Sequence, residues 1–239
     1  GWEGYALGPT HFGTNSTTFK AMWTANTIHT IWDSNGGYID GDTGGFNRYT
    51  TYSPSATLGT AWNIWGAPRI YRTGYTFTGW YTSKSGGTQV ASGDKLPTSD
   101  TTYYAHWAPN SYTVQYQNKA DTATLSTDTG FKYDTTRKLA AMPSSGVTPG
   151  YTAVGWANSK GQSTANYSFE KEVKNLVTSG TKYLYLAERA HTYTVTFDSA
   201  GGSPASDISA TYDKGITLPT STRQGYAFGG WKDEGTGTI

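Results

Sequence analysis

Apolar and polar residues alternate with a period of two along several short stretches of this chain, and turn residues close each stretch. Tyr193, Val195 and Phe197 alternate with Thr194 and Thr196, the pattern of a strand with one buried face. Asp198-Ser-Ala-Gly-Gly202 follows and predicts a tight turn. Tyr103, Ala105 and Trp107 line one face of a second predicted strand, and Tyr75 and Phe77 one face of a third. Gly79 is placed to bulge that third strand and bring Trp80 onto the same side. Helical periodicity is scarce. Its best case is Phe169, Val173, Leu176 and Val177, spaced i, i+4, i+7 and i+8, which predicts two or three turns at most.

The same blocks recur. Gly-Trp stands at Gly1-Trp2, Gly79-Trp80, Gly155-Trp156 and Gly230-Trp231, with the tryptophans 78, 76 and 75 residues apart. Arg72-Thr-Gly-Tyr-Thr-Phe-Thr-Gly-Trp80 matches Arg223-Gln-Gly-Tyr-Ala-Phe-Gly-Gly-Trp231, and Pro149-Gly-Tyr-Thr-Ala-Val-Gly-Trp156 is a weaker copy. Before them lies a first-strand block, at Ile28-His-Thr-Ile-Trp32, Tyr112-Thr-Val-Gln-Tyr116 and Tyr193-Thr-Val-Thr-Phe197. After them lies a closing block, at Thr17-Thr-Phe-Lys-Ala-Met-Trp23, Thr101-Thr-Tyr-Tyr-Ala-His-Trp107 and Thr181-Lys-Tyr-Leu-Tyr-Leu-Ala187. Fixed-period similarity of this kind marks a repeat architecture. Residues 26–110 and 111–190 read as complete repeats, 1–25 as a second half and 191–239 as a first half.

Composition narrows the function. Of 239 residues only 15% are charged, yet 15% are aromatic, so the chain folds on rings rather than remaining disordered. The net charge of +1, with no basic run, argues against a nucleic-acid partner. No apolar stretch is long enough to span a membrane. The absence of cysteine rules out disulfides and thiolate chemistry. The four histidines, His11, His29, His106 and His191, have no metal-ligand spacing, and His29 and His106 fall in predicted strands. No nucleophile elbow, phosphate loop or zinc motif occurs. An enzyme is not expected, nor is a cofactor.

The repeated blocks resemble the Listeria–Bacteroides repeat, the B-repeat module of internalins and other bacterial surface proteins. Residues 70–107 carry its pattern at Arg72, Gly74, Tyr75, Phe77, Gly79, Trp80, Tyr81, Ala105 and Trp107, and residues 193–231 carry it too, with Leu218-Pro219, Thr222 and Arg223. The middle repeat departs from it at Ala153, Val154 and Ala187. The resemblance implies a β-rich α+β fold of tandem β-grasp-like (ubiquitin-like) modules in an elongated array, outside a bacterial cell, at its surface or wall. It implies stalk, spacer or adhesion roles, with no catalytic residues to carry over. The residues alone point to strand-rich tandem units and leave β-grasp and small sandwich open.

Tyr75, Phe77, Trp80, Trp107, Tyr151, Trp156, Tyr226, Phe228 and Trp231 are the expected repeat core, because they recur at the same place in each repeat. From Tyr52 to Tyr75 there are 23 residues, against 18 from Tyr133 to Tyr151 and 14 from Tyr212 to Tyr226. An insertion near 56–68 therefore carries Trp62 and Trp65, which with Tyr71 are the candidate contact residues for a glycan or protein on a host or cell surface. Asp33, Asn35, Asp40 and Asp42 offer oxygen ligands that could hold Ca²⁺, though Asx-Gly is also ordinary turn chemistry. Half a repeat leaves an open strand edge. Either adjacent repeats of a longer chain complete it, or the head of one copy completes the tail of the next and builds a fibre. The function expected is thus an adhesin stalk or filament unit. The alternative is a binding module using exposed Trp and Tyr, and a third reading is an accessory domain of a secreted hydrolase.

Overall fold

The computed structural model describes residues 20, 28–39, 47–52, 69–91, 94, 97 and 99–235. The chain divides into two compact units, Gly1–Tyr71 with Phe77–His106, and Arg72–Thr76 with Trp107–Ile239.

In the first unit the strands are β1 (Ile28–Asp33), β2 (Tyr38–Ile39), β3 (Asn47–Tyr52), β4 (Ile70–Tyr71), β5 (Tyr75–Tyr81), β6 (Gln89–Val90) and β7 (Thr101–Pro109), the ends of β5 and β7 falling in the second. One sheet runs in the order β3-β1-β7-β5-β6, and β2 pairs with β4 beside it. β1 is antiparallel to β3 and parallel to β7. Trp32 is fully buried, with the Trp80 ring centroid at 4.9 Å and that of Tyr103 at 5.1 Å.

The second unit holds β8 (Ser111–Gln117), β9 (Thr124–Lys132), β10 (Arg137–Lys138), β11 (Tyr151–Ala157), β12 (Glu172–Val173), β13 (Gly180–Ala190), β14 (Thr192–Val195) and β15 (Ile208–Thr211). Its main sheet has the order β11-β13-β8-β9. The closing strand β13 thus sits between the first strand and the Gly-Trp strand, parallel to β8 and antiparallel to β11. A parallel central pair must be covered on its core side. Tyr112, Val114 and Tyr116 on β8 meet Leu184 and Leu186 on β13, with Phe131, Leu139 and Trp156 completing the core. Phe169, Leu176 and Val177 close over it from the connection between β11 and β13.

That connection corrects the helical expectation. Among the described residues there is no helix. Glu170 and Asn175 take left-handed conformations, with φ of 56° and 58°, so no helical run crosses 169–177. Turns instead aim the apolar side chains inward, and Val173 lies in β12. Among the described residues the fold is β-rich, without the α part expected of it.

A bulge at the Gly-Trp position is present in the second repeat. The β11–β13 register shifts between Ala153 and Gly155, and Gly79 and Gly155 share a φ of 140°. The Asx turns also recur: the Asn35 N–H donates to Asp33 Oδ1 at 2.8 Å, and the Ala200 N–H to Asp198 Oδ1 at 2.9 Å. Strand registers adjust one alignment. Tyr52 stands opposite Ile28, as Phe131 does opposite Tyr112 and Ala210 opposite Tyr193. Tyr52 therefore corresponds to Phe131 and Ala210, not to Tyr133 and Tyr212, and counting the insertion from Tyr52 overstates it by two residues.

Candidate functional site

One ring pair recurs in all three repeats. The last aromatic of the first-strand block meets the Gly-Trp tryptophan: Trp32 with Trp80, Tyr116 with Trp156 at 4.6 Å, and Phe197 with Trp231 at 4.8 Å. Trp156 donates its indole N–H to the Ala140 carbonyl at 2.8 Å, and Trp231 donates to the Pro219 carbonyl at 2.6 Å. The third repeat therefore forms the same nucleus as its neighbours.

What differs is the strand between. β7 and β13 fill the centre of the first two sheets. In residues 191–235, β14 pairs with β15 alone, and no strand lies between β14 and the Gly-Trp segment. Two clefts open there. One of about 490 Å³ is lined by Val195, Phe197, Leu218 and Trp231. The other, of about 790 Å³, is lined by Ala200, Ser221, Arg223, Phe228 and Trp231 among others. Phe228, at 44% exposure, thus lies open rather than in a closed core.

A second geometry repeats within the second unit. The connectors Asn110 and His191 are single residues between strands. Asn110 donates its N–H to the Gly74 carbonyl at 2.9 Å and accepts from the Tyr133 N–H at 2.9 Å. His191 does the same with Gly150 at 2.8 Å and Tyr212 at 2.9 Å. Each tyrosine then meets the tyrosine of a Gly-Tyr pair edge-on, Tyr133 with Tyr75 at 5.7 Å and Tyr212 with Tyr151 at 5.8 Å. Tyr75 also donates its hydroxyl to Asp134 at 2.6 Å.

Hydrogen bonds from Asn175 and Tyr75, with Lys174 at 3.1 Å, hold the Asp134 carboxyl well below its ordinary value of 3.8. The bond to Asp134 in turn pushes the Tyr75 phenol up. A depressed carboxylate stabilises the fold above its unfolded pKa and stops doing so as the pH falls through the folded one. The melting temperature of the chain should therefore decline as pH drops below 3.8. Asp134→Asn should flatten that decline, and an unchanged slope in thermal melts at stepped pH would remove Asp134 from the account.

The sequence profile of the Listeria-Bacteroides repeat domain matches residues 29–106, 112–185 and 193–239. The chain belongs to the Listeria-Bacteroides repeat family. Its three matched segments are the three repeats whose ring pair is described above. Among curated relatives, a putative Gly-rich membrane protein of Evansella cellulosilytica is 30% identical over 67% of this chain and 19% of its own length. Internalin H of Listeria monocytogenes is 38% identical over 36% of the chain and 15% of its own length. A putative membrane protein of E. cellulosilytica is 26% identical over 66% and 22%. The repeats thus span about a fifth or less of the length of these relatives.

Other predicted residues of these Listeria-Bacteroides repeats fall as follows. Trp80 and Trp156 are buried. Trp107 is half-buried, and Ala187, its counterpart, fully buried. Phe77 is 38% exposed but lies edge-on to Trp80 at 5.5 Å. Tyr75 and Tyr151 are half-buried at the tyrosine contacts just described, not in the repeat core. Trp62, Trp65, Asp40, Asp42 and His11 lie outside the described residues. Tyr71 is exposed, paired with Tyr38 at 6.0 Å. The Asp33 carboxylate and the Asn35 side chain are engaged in the turn, Asp33 with Lys84 at 3.4 Å and Asn35 with the Lys84 and Ala105 carbonyls. Among the described residues no group of three or more His, Asp or Glu gathers as a metal set. His29 and His106 lie in strands, His106 stacked on Tyr81 at 3.8 Å.

Sequence reasoning passed over Glu188. It is fully buried and accepts from the Thr148 N–H at 2.8 Å and the Thr148 hydroxyl at 2.7 Å. A buried carboxylate needs such donors. The signal for it is faint, since it follows the end of the alternating run in β13.

Proposed function

We propose that this chain is a non-enzymatic structural segment of a bacterial cell-surface protein, built of β-grasp-like repeats and serving as stalk or filament. Open repeats are closed by a strand from neighbouring repeats or from a second copy. Family membership and the internalin and membrane-protein names of its relatives support an extracellular, surface-borne setting. The mixed strand order, with a parallel central pair, supports the β-grasp assignment.

The observation that carries the reading is the third repeat. It has its hairpin and its Phe197–Trp231 nucleus, but the central slot filled elsewhere by β7 or β13 is open. Burying that slot needs a strand with the alternation of the closing block, as in donor-strand pairing. Thr17–Trp23 carries such a block. Head-to-tail pairing through it would be heterologous and would not close on itself. Light scattering with negative-stain microscopy across concentration tests this. Fibres that grow with concentration are expected. A monomer of 25.8 kDa at every concentration would overturn closure between copies.

A further inference from the structure

Three Gly-Tyr pairs share one backbone conformation. Gly74, Gly150 and Gly225 have φ of 77°, 78° and 79°. At Gly74 an added Cβ would overlap the Tyr133 ring, and at Gly150 the Tyr212 ring. At Gly225 it would meet nothing within 4 Å. A cation caps each tyrosine: Arg72 over Tyr75 at 4.0 Å, Lys119 over Tyr151 at 4.2 Å and Arg223 over Tyr226 at 4.5 Å. Tyr75 and Tyr151 are half-buried beneath the incoming ring, whereas Tyr226 is 69% exposed.

The incoming tyrosines also share their setting. Each directly follows the second strand of its hairpin, β9 or β15. Each precedes an aspartate with φ of 57°, Asp134 or Asp213. The same turn closes behind it, from the Thr135 N–H to the Lys132 carbonyl and from the Lys214 N–H to the Thr211 carbonyl.

We infer that Gly225 and Tyr226, capped by Arg223, form a docking socket for the Tyr-Asp turn of another repeat of this family. The occupant is a hairpin shoulder of the same family, presenting a tyrosine ring flat to the glycine and edge-on to Tyr226. Glycine is required because a side chain would occupy the place of the ring. The positive φ turns the bare Cα towards the occupant. The cation holds the Tyr226 ring by its face, so the socket is formed before it is filled. The inference rests on the repeat reading, but not on closure between copies.

The test extends the intact chain in phase. Trp231 aligns with Trp156, so Ile239 is followed by a copy of residues 165–239. That addition supplies a closing strand and then a Tyr-Asp turn. Hydroxyl-radical footprinting read by mass spectrometry reports each ring. In the 239-residue chain, Tyr226 should oxidise several-fold faster than Tyr75 and Tyr151. In the extended chain it should slow to their rate. Replacing the appended copy of Tyr212 with Ala should restore the fast rate. Trp231 reports strand closure separately. If Trp231 becomes protected while Tyr226 stays fast, the socket is refuted and the repeat reading stands. If neither is protected, closure has failed, and the native chain decides. There Tyr212→Ala must release Tyr151 to the Tyr226 rate, and Tyr133→Ala must release Tyr75. Rings that stay slow in both variants would overturn the inference.

Discussion

Trp156→Ala is expected to unfold the second repeat. The ring is 1% exposed and lies against Tyr116 at 4.6 Å and Phe169 at 5.7 Å. Truncating a buried tryptophan costs about 3–5 kcal/mol through lost transfer energy and the cavity left behind. The Ala140 carbonyl also loses its indole donor, and an unmet buried acceptor costs a further ~1 kcal/mol or more. That total approaches the whole stability of a marginal domain, about 5–15 kcal/mol. Trp231→Ala should cost less, because Trp231 is only half-buried. Urea unfolding followed by far-UV circular dichroism measures both. Equal losses at the two sites would show that the open third repeat is as tightly closed as the second.

Gly155→Ala should destabilise its repeat by about 3 kcal/mol or more, and Gly79→Ala by about 1–2 kcal/mol, although the two glycines occupy the same motif. Their φ is identical at 140°, so backbone strain of roughly 1–3 kcal/mol is common to both. The surroundings differ. A Cβ on Gly79 meets the amide end of Gln89, a flexible group that can swing away. A Cβ on Gly155 meets the Tyr167 carbonyl and the Ala165 side chain. That carbonyl accepts from the Trp156 N–H at 2.8 Å, so moving it disturbs main-chain pairing at the core tryptophan and adds overpacking strain. Hydrogen exchange at the Trp156 amide should accelerate in Gly155→Ala while the Trp80 amide stays slow in Gly79→Ala. Comparable stability losses would mean that backbone strain alone governs the motif.

The local elements were legible in the sequence wherever alternation was strong. Tyr112, Val114 and Tyr116 announced β8, Tyr103 and Ala105 announced β7, and the Asp-Ser-x-Gly-Gly turns formed as read. The order of strands was not legible, because periodicity fixes which face is buried but not which neighbour is paired. β9 gave little signal, since it is an edge strand with mostly polar, exposed positions. The spacing at 169–177 suited a helix, but two left-handed residues decided otherwise. The recurrence of the tyrosine in each Gly-Tyr pair suggests a core position. The tyrosine recurs for another reason: Tyr75 and Tyr151 receive a ring from residues about 60 positions further on, a separation that no local pattern encodes.

The parallel neighbours β8 and β13 have a mechanical meaning. Six residue pairs join them, from Tyr112 opposite Gly180 to Gln117 opposite Tyr185, and β13 passes into β14 through His191 alone. Tension along the chain pulls β8 by its start and β13 by its finish. In a parallel pair those points lie at opposite ends of the ladder. The strands can then part only by sliding, with all the hydrogen bonds between them loaded together, whereas a hairpin pulled from its open end unzips one bond at a time. The second repeat is a clasp that resists shear, and a one-residue connector leaves no slack to absorb a tug before the clasp bears it.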